Sequence, residues 1–388
     1  MSFVYLDHAA SSPLCGEALR AERDYESSEI AGVNPNSLHT LGRRAARELD
    51  ASRRALASCL GAAFRPADIV LTSGGTESNN IALHGMAAGA RERDRRRSRV
   101  LVSAIEHDSI LDVLPSLRDA GFEAETIPVG SDGKVSLDAL HDGLDERVAL
   151  VSVMSANNET GVVQPLAEVA RLSHGVGALV HTDAVQAFGR IPLELRDVDG
   201  VSVAAHKIGG PVGIGALALR GRCPFRPQSF GGGQEQGRRA GTQDVRGALA
   251  FAAAARACTG ELEERRAVVS ARSRRLYERV CAQGSRILAT AGCEVGDDRL
   301  PGLVSILVEG LDSESLILQL DQRGFEVSAG SACSSGSLDP SHVLSAMGIP
   351  RSLALGSLRV SFDERTTDGE LDAFASALLE TVSLLRRR

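Results

Sequence analysis

From about residue 68 the chain alternates short β-branched apolar runs with amphipathic stretches. Ile69-Val-Leu-Thr-Ser precedes Ile81, Leu83 and Met86; Val100-Leu-Val-Ser precedes Ile110, Leu111 and Leu114; Ala149-Leu-Val-Ser-Val precedes Leu166, Val169 and Leu172; Ala178-Leu-Val-His follows. The alternation of strand and helix patterns predicts an α/β fold with a largely parallel sheet. It ends near Glu261, where a long Arg- and Glu-rich helical pattern begins, and Leu303-Val-Ser-Ile-Leu-Val and Leu358-Arg-Val-Ser then read as strands of another layer. The 388 residues suffice for two domains. We expect a large one over 15–255 and a smaller α+β one over 256–388, with the arm 1–14 packed on the latter.

Composition narrows the function classes. Apolar residues at 43% and charged residues at 24% match a globular chain and exclude disordered or collagenous readings. The net charge of −7 offers no field for nucleic acid or an anionic membrane. No apolar run approaches the ~20 residues that span a bilayer, and the start MSFVYLDHAASSP lacks the basic and apolar regions of a secretory signal. We expect a cytoplasmic protein without membrane or direct nucleic-acid partners. Seven cysteines without a C-x-x-C pair or zinc spacing argue for no metal and for mostly reduced core thiols.

Lysine occurs only at Lys134 and Lys207, so any lysine-specific chemistry has two candidates. Parallel sheets bind ligands beyond the carboxyl ends of their strands, which directs attention to the residues after each run. The first such segment, Thr72-Ser-Gly-Gly-Thr-Glu-Ser-Asn-Asn80, could turn tightly and aim helix N–H groups at a phosphate, though alone it equally fits a capped βα turn. Later runs deliver Glu106-His107, Asn157-Asn-Glu159, Asp183-Ala-Val-Gln186 and His206-Lys207. Singly, His107, Asp183 and Lys207 could each be ordinary polar strand-end residues. Together, a strand-end lysine, an acid on a neighbouring strand, an imidazole and a phosphate cradle are the parts a pyridoxal phosphate site requires. Lys134 lies in the turn Gly-Ser-Asp-Gly-Lys-Val and reads as solvated.

The ordered set Tyr5-Leu-Asp-His-Ala-Ala, Asn34-Pro-Asn-Ser-Leu-His39, Thr72-Ser-Gly-Gly-Thr-Glu-Ser-Asn, Glu106-His107, Asn157-Asn-Glu-Thr-Gly161, Asp183-Ala-Val-Gln186, His206-Lys207 and Gly231-Gly-Gly-Gln-Glu-Gln-Gly-Arg-Arg-Ala-Gly-Thr242 resembles the cysteine desulfurases. These are pyridoxal-phosphate enzymes of fold-type I in the class V aminotransferase superfamily. The match runs from residue 5 to about residue 370. It implies a mostly parallel seven-stranded sheet, a homodimer, and L-cysteine as substrate. It implies Lys207 as the Schiff-base lysine, Asp183 on the ring nitrogen, His107 stacked on the ring and moving protons, and Gln186 on the ring hydroxyl. Gly75, Thr76 and His206 would hold the phosphate, with Thr242 reaching in from the other subunit. Asn158 would touch cofactor and substrate, Arg359 in Ser357-Leu-Arg-Val-Ser would bind the substrate carboxylate, and Asn34 would join the substrate site.

The segment Val327-Ser-Ala-Gly-Ser-Ala-Cys333-Ser-Ser-Gly-Ser-Leu-Asp-Pro340 separates desulfuration from plain transamination. Its small polar neighbours suit an accessible thiol better than a core one. The segment resembles the longer-loop group of desulfurases, in which this cysteine becomes a persulfide and hands sulfur to an acceptor protein. Two departures stand out. Family members commonly carry a phosphate-binding serine three residues before the Schiff-base lysine; here that position is Ala204, with Ser202 two further back. The stretch after the last helical pattern, Leu384-Leu-Arg-Arg-Arg388, implies a short or missing acceptor-docking tail. Another class V reaction (selenocysteine lysis, cysteine β-elimination or transamination) is the enzymatic alternative, and a sulfur-carrier scaffold the non-enzymatic one.

Overall fold

In the computed structural model, which describes residues 3–292, 295–330 and 340–387, the strands run in chain order as β1 (Val4–Tyr5), β2 (Ile69–Thr72), β3 (Arg99–Ser103), β4 (Glu123–Ile127), β5 (Val148–Ser152), β6 (Leu179–Asp183), β7 (Gly200–Ala204), β8 (Gly215–Leu219), β9 (Ile287–Ala289), β10 (Leu303–Val308), β11 (Phe325–Glu326) and β12 (Ser357–Ser361). Seven of them form one sheet in the order β2-β8-β7-β6-β5-β3-β4. Only β8 opposes its neighbours; the other six share a direction. The apolar runs thus form the mostly parallel sheet that the alternation and the resemblance predict.

Both faces of this sheet are covered, which is why β2, β5, β7 and β8 are buried at every residue and read as continuous apolar runs. Successive side chains part to opposite layers. Ile69 and Leu71 join Val201, Val203 and Phe251 on one face, while Val70 meets Leu83, Met86, Val100 and Val102 on the other.

A second core surrounds the antiparallel sheet β12-β10-β9. There Val304, Ile306, Leu358 and Val360 pack against Leu276, Tyr277, Phe374 and Leu378, and Leu6 of the amino-terminal arm joins them. The arm enters by pairing β1 in parallel with β11. Phe374 is fully buried, edge-on to Phe325 at 5.7 Å; truncating it to alanine costs roughly 3–5 kcal/mol. No helix among the described residues is long and apolar enough to cross a membrane.

Candidate active site

Because six strands point the same way, their following loops converge. After β2 the chain turns into the helix Gly75–Arg93. A Cβ at Gly75 would sit 2.8 Å from Val185 Cγ2, so only glycine lets the helix start this close to the loop after β6. Glu77 Oε2 accepts the Ser73 N–H at 2.5 Å, and its carboxylate also pairs with Arg239 at 2.8 Å, closing the turn. After β3, His107 caps the helix Asp108–Leu111: its Nδ1 accepts the Ser109 N–H at 3.0 Å. After β5, Asn157 Oδ1 accepts the N–H groups of Glu159 and Thr160, both at 2.9 Å, which fixes the turn carrying Asn158. Asp183 ends β6, and β7 runs through Ala204 into a 3-10 turn, Ala205–Lys207.

These loops wall a cavity of about 520 Å³ lined by Gly75, Thr76, His107, Asn158, Asp183, Gln186, His206 and Lys207, with Arg359 entering from β12. Lys207 Nζ donates to the carbonyls of Ala9 and Ala10, each at 2.8 Å. Burial, with the nearby guanidinium groups of Arg359 and Arg190, pushes its pKa down to about 8. Burial, then the Lys207 charge, takes His206 down to about 4, so its imidazole is neutral at pH 7. Asp183 Oδ1 accepts the Val185 N–H at 2.8 Å, and Oδ2 accepts from Asn79 Nδ2 at 2.6 Å. Gln186 Nε2 donates to the Ala9 carbonyl at 2.9 Å. Arg359 is 1% exposed; Nη1 reaches the carbonyls of Asn158 (3.0 Å) and Gly330 (3.1 Å), Nη2 reaches Asp7 Oδ1 (2.8 Å), and Nε is buried without a partner.

Two expected residues do not line the cavity. Asn34 and Thr242 are exposed. Asn34 Oδ1 accepts the Asn36 N–H at 2.9 Å, and Asn36 Nδ2 donates to Gln243 Oε1 at 2.9 Å, so the loops bearing Asn34 and Thr242 are tied to each other instead. Cys333 lies outside the described residues. The flanking Gly330 carbonyl is held by Arg359, and Pro340 and Ser341 line the cavity. Of the described cysteines, Cys223 and Cys258 are buried, and burial drives both thiol pKa values upward.

Ala204 lines the cavity, and Ser202 does not replace the missing hydroxyl. Ser202 is fully buried and its Oγ meets His181 Nε2 at 2.9 Å, while His181 Nδ1 meets Ser152 Oγ at 2.9 Å, a chain across β7, β6 and β5. Burial lowers His181 to about 3, which keeps that chain neutral.

The sequence reading missed four contributors. Asn79 follows Gly75 by one helical turn, a spacing that could have placed it on the same face. Ser109 follows His107 as its capping partner. Asp7, within the Tyr5-Leu-Asp motif, holds Arg359. Glu106 is fully buried beside Asp183, and burial first and that charge second push it up to about 8, so it is a neutral acid at pH 7. Its strand-end position gave no sign of this.

The donor set fits pyridoxal phosphate. The close approach at Gly75 leaves a cradle that a Cβ would obstruct, the helix start supplies N–H groups for a phosphate, and a carboxylate and a low-pKa amine face the same cavity.

The aminotransferase class V model matches residues 4–374. A cysteine desulfurase of Cereibacter sphaeroides is 40% identical, the match spanning 100% of this chain and 97% of that protein. An IscS-like cysteine desulfurase of Mycobacterium tuberculosis is 39% identical over 99% of this chain and 97% of its own length. Among solved structures, a NifS-like protein superposes with a TM-score of 0.89 at 33% identity, covering 98% of this chain and all of the other. Likeness of this extent, joined to a cavity built for its cofactor, shows that the chain belongs to the class V aminotransferase family of pyridoxal-phosphate enzymes.

Proposed function

We infer that the chain is a pyridoxal-phosphate-dependent cysteine desulfurase, taking sulfur from L-cysteine and leaving L-alanine. The observation that carries this is the convergence of Lys207, Asp183, His107 and Arg359 on one cavity, beside both flanks of the Cys333 segment, in a chain whose full-length relatives are desulfurases. Bound there, pyridoxal phosphate supplies an electron sink for charge developing at the substrate Cα.

The chain's own residues do the rest. Arg359 offers a planar guanidinium to the substrate carboxylate, with Asn158 beside it. Lys207, brought down to a pKa of about 8, is neutral in about one molecule in ten at pH 7, against far fewer for an ordinary lysine, and can take the Cα proton. Asp183 would present a carboxylate to the ring nitrogen, Gln186 an amide to the ring hydroxyl, and Gly75, Thr76 and His206 would hold the phosphate. His107 would move protons beside the ring. Cys333 as thiolate attacks the substrate sulfur: an S–S bond forms, the Cβ–S bond breaks with its electron pair going to carbon, and protonation of that fragment yields alanine. The outer sulfur passes by thiol exchange to an acceptor protein bearing a thiol.

The protein works as a homodimer in this reading, with Thr242, exposed in its own chain, completing the phosphate site of a second copy. Residues 15–255 form the cofactor domain, and 1–14 with 256–388 form the smaller domain. Cys15, Cys59, Cys223 and Cys258 carry free thiols, which suits the reducing cytoplasm. Quantifying the products from L-cysteine tests the reading. Alanine with protein-bound persulfide is expected; pyruvate with free sulfide would make the chain a β-lyase.

A further inference from the structure

Asn79 stands between the two side chains assigned to the cofactor ring, His107 after β3 and Asp183 at the end of β6. It is 1% exposed, and its Nδ2 donates to Asp183 Oδ2 at 2.6 Å and to Ser109 Oγ at 2.9 Å. The amide cannot be reversed, because its oxygen would then face a carboxylate oxygen at 2.6 Å, acceptor against acceptor. Both Nδ2 hydrogens are therefore committed, and Oδ1 is left buried without a partner. An orphaned buried acceptor is costly, and an asparagine that only filled space would have no reason to carry it.

Ser109 continues the chain of bonds. Its Oγ receives an Asn79 hydrogen, so its own proton points to His107 Nδ1 at 2.9 Å. That nitrogen also accepts the Ser109 N–H at 3.0 Å. Facing two donors, Nδ1 carries no hydrogen, and the ring N–H lies on Nε2. Asn80 Nδ2 buttresses the same residue through the Ser109 carbonyl at 3.1 Å.

We propose that Asn79, acting through Ser109, is a positioning bridge that fixes His107 and Asp183 relative to each other and confines the His107 ring proton to Nε2. Because the amide donates in both directions, it aligns the two groups yet passes no proton between them. The carboxylate serves the ring nitrogen and the imidazole exchanges protons elsewhere, so the two tasks stay separate. The proposal rests on the pyridoxal phosphate assignment above.

Nitrogen NMR of histidine-labelled protein, with and without cofactor, tests the bridge, the His107 signals being identified by their loss in His107→Gln. An unprotonated Nδ1 and a protonated Nε2 are expected in both states; a protonated Nδ1 overturns the proposal. In the holoenzyme, Ser109→Ala keeps the backbone donor but removes the link. It should lower kcat about tenfold with KM changed less than about twofold, and shift the cofactor's visible band. Ser109→Thr, which keeps the hydroxyl, should restore both. Adding Asn79→Ala to Ser109→Ala should cost little more, since both remove one bridge; losses that multiply, or a Ser109→Ala enzyme with wild-type kcat and spectrum, overturn it. If Asn79→Ala fails to fold, the two Ser109 variants decide alone. A wild-type protein that bound no cofactor would sink the assignment beneath, while the nitrogen shifts of the free protein would still answer for the bridge.

Discussion

The strand-end cavity and the exposed pair of loops around Asn34 and Thr242 were assigned to one site by resemblance, yet they sit in different surroundings. Gly75, His107, Asp183 and Lys207 each end or closely follow a strand of the seven-stranded sheet, so the sheet's direction alone brings them together. Asn34 and Thr242 have no such strand behind them; the contact recorded there joins the two loops through Asn36 and Gln243. A single chain completes what its sheet can carry. In the proposed homodimer, the exposed loops of a second copy would supply the rest of the site.

The largest effect should come from the cavity side. Lys207→Ala removes the only lysine there, and alanine formation should fall at least ~1,000-fold. The protein should retain some cofactor through Asp183 and the helix start. Borohydride reduction and peptide mapping should find the pyridoxyl group on Lys207; finding it on Lys134, which pairs with Asp298 at 3.3 Å on the surface, would remove the cavity from the chemistry. Next in size is Cys333→Ser, with sulfur transfer expected to drop at least ~100-fold. The cofactor spectrum should be unchanged, because Lys207 and Asp183 are untouched and a serine hydroxyl does not ionise near neutral pH. Wild-type rates of alanine production would make Cys333 an ordinary polar residue.

Mixed dimers probe the comparison itself. When Lys207→Ala and Thr242→Asp subunits are combined, a Thr242 acting across the interface leaves one intact site, with the lysine of one chain and the threonine of the other. Mixed dimers should then recover about half the wild-type activity per dimer, each homodimer being impaired. No recovery would return Thr242 to its own chain.

A smaller effect follows from the Lys207 environment. Acylation of the cofactor-free protein should label Lys207 with a midpoint near pH 8, and Arg359→Gln, by removing one of the charges that lower it, should move that midpoint up. The sign for stability follows from linkage: the fold disfavours the charged amine, so this group opposes folding below about pH 8. Its penalty fades as pH rises from about 8 toward the unfolded value of 10.5. A midpoint near 10.5 would mean that the amine is not buried among cations.

The sheet was legible because apolar runs buried on both faces leave an uninterrupted signature, as in Val148–Ser152. Lys207 was legible because lysine is so rare in this chain. What escaped were partnerships across distant segments. Nothing near Asn79 says that Asp183, 104 residues away, will meet it, and nothing in Tyr5-Leu-Asp says that its aspartate will hold Arg359 from the other end of the chain. The state of Glu106 depends on full burial beside Asp183, a property of packing with no local pattern to carry it.

The gentlest test adds an atom to the cavity wall. Ala204 ends β7, is 1% exposed, and its Cβ lies 3.6 Å from where a Cβ on Gly75 would stand, so a hydroxyl there would point toward the helix start expected to hold the phosphate. Ser202 cannot supply that hydroxyl, its Oγ being engaged by His181. Ala204→Ser should therefore tighten cofactor binding by about three- to tenfold, the worth of one added hydrogen bond of roughly 1 kcal/mol, and leave kcat nearly unchanged because no reacting atom is touched. Titration of the free protein with pyridoxal phosphate reads this directly. Unchanged or weaker affinity would mean that the new hydroxyl finds no phosphate oxygen, and that the phosphate sits away from Gly75.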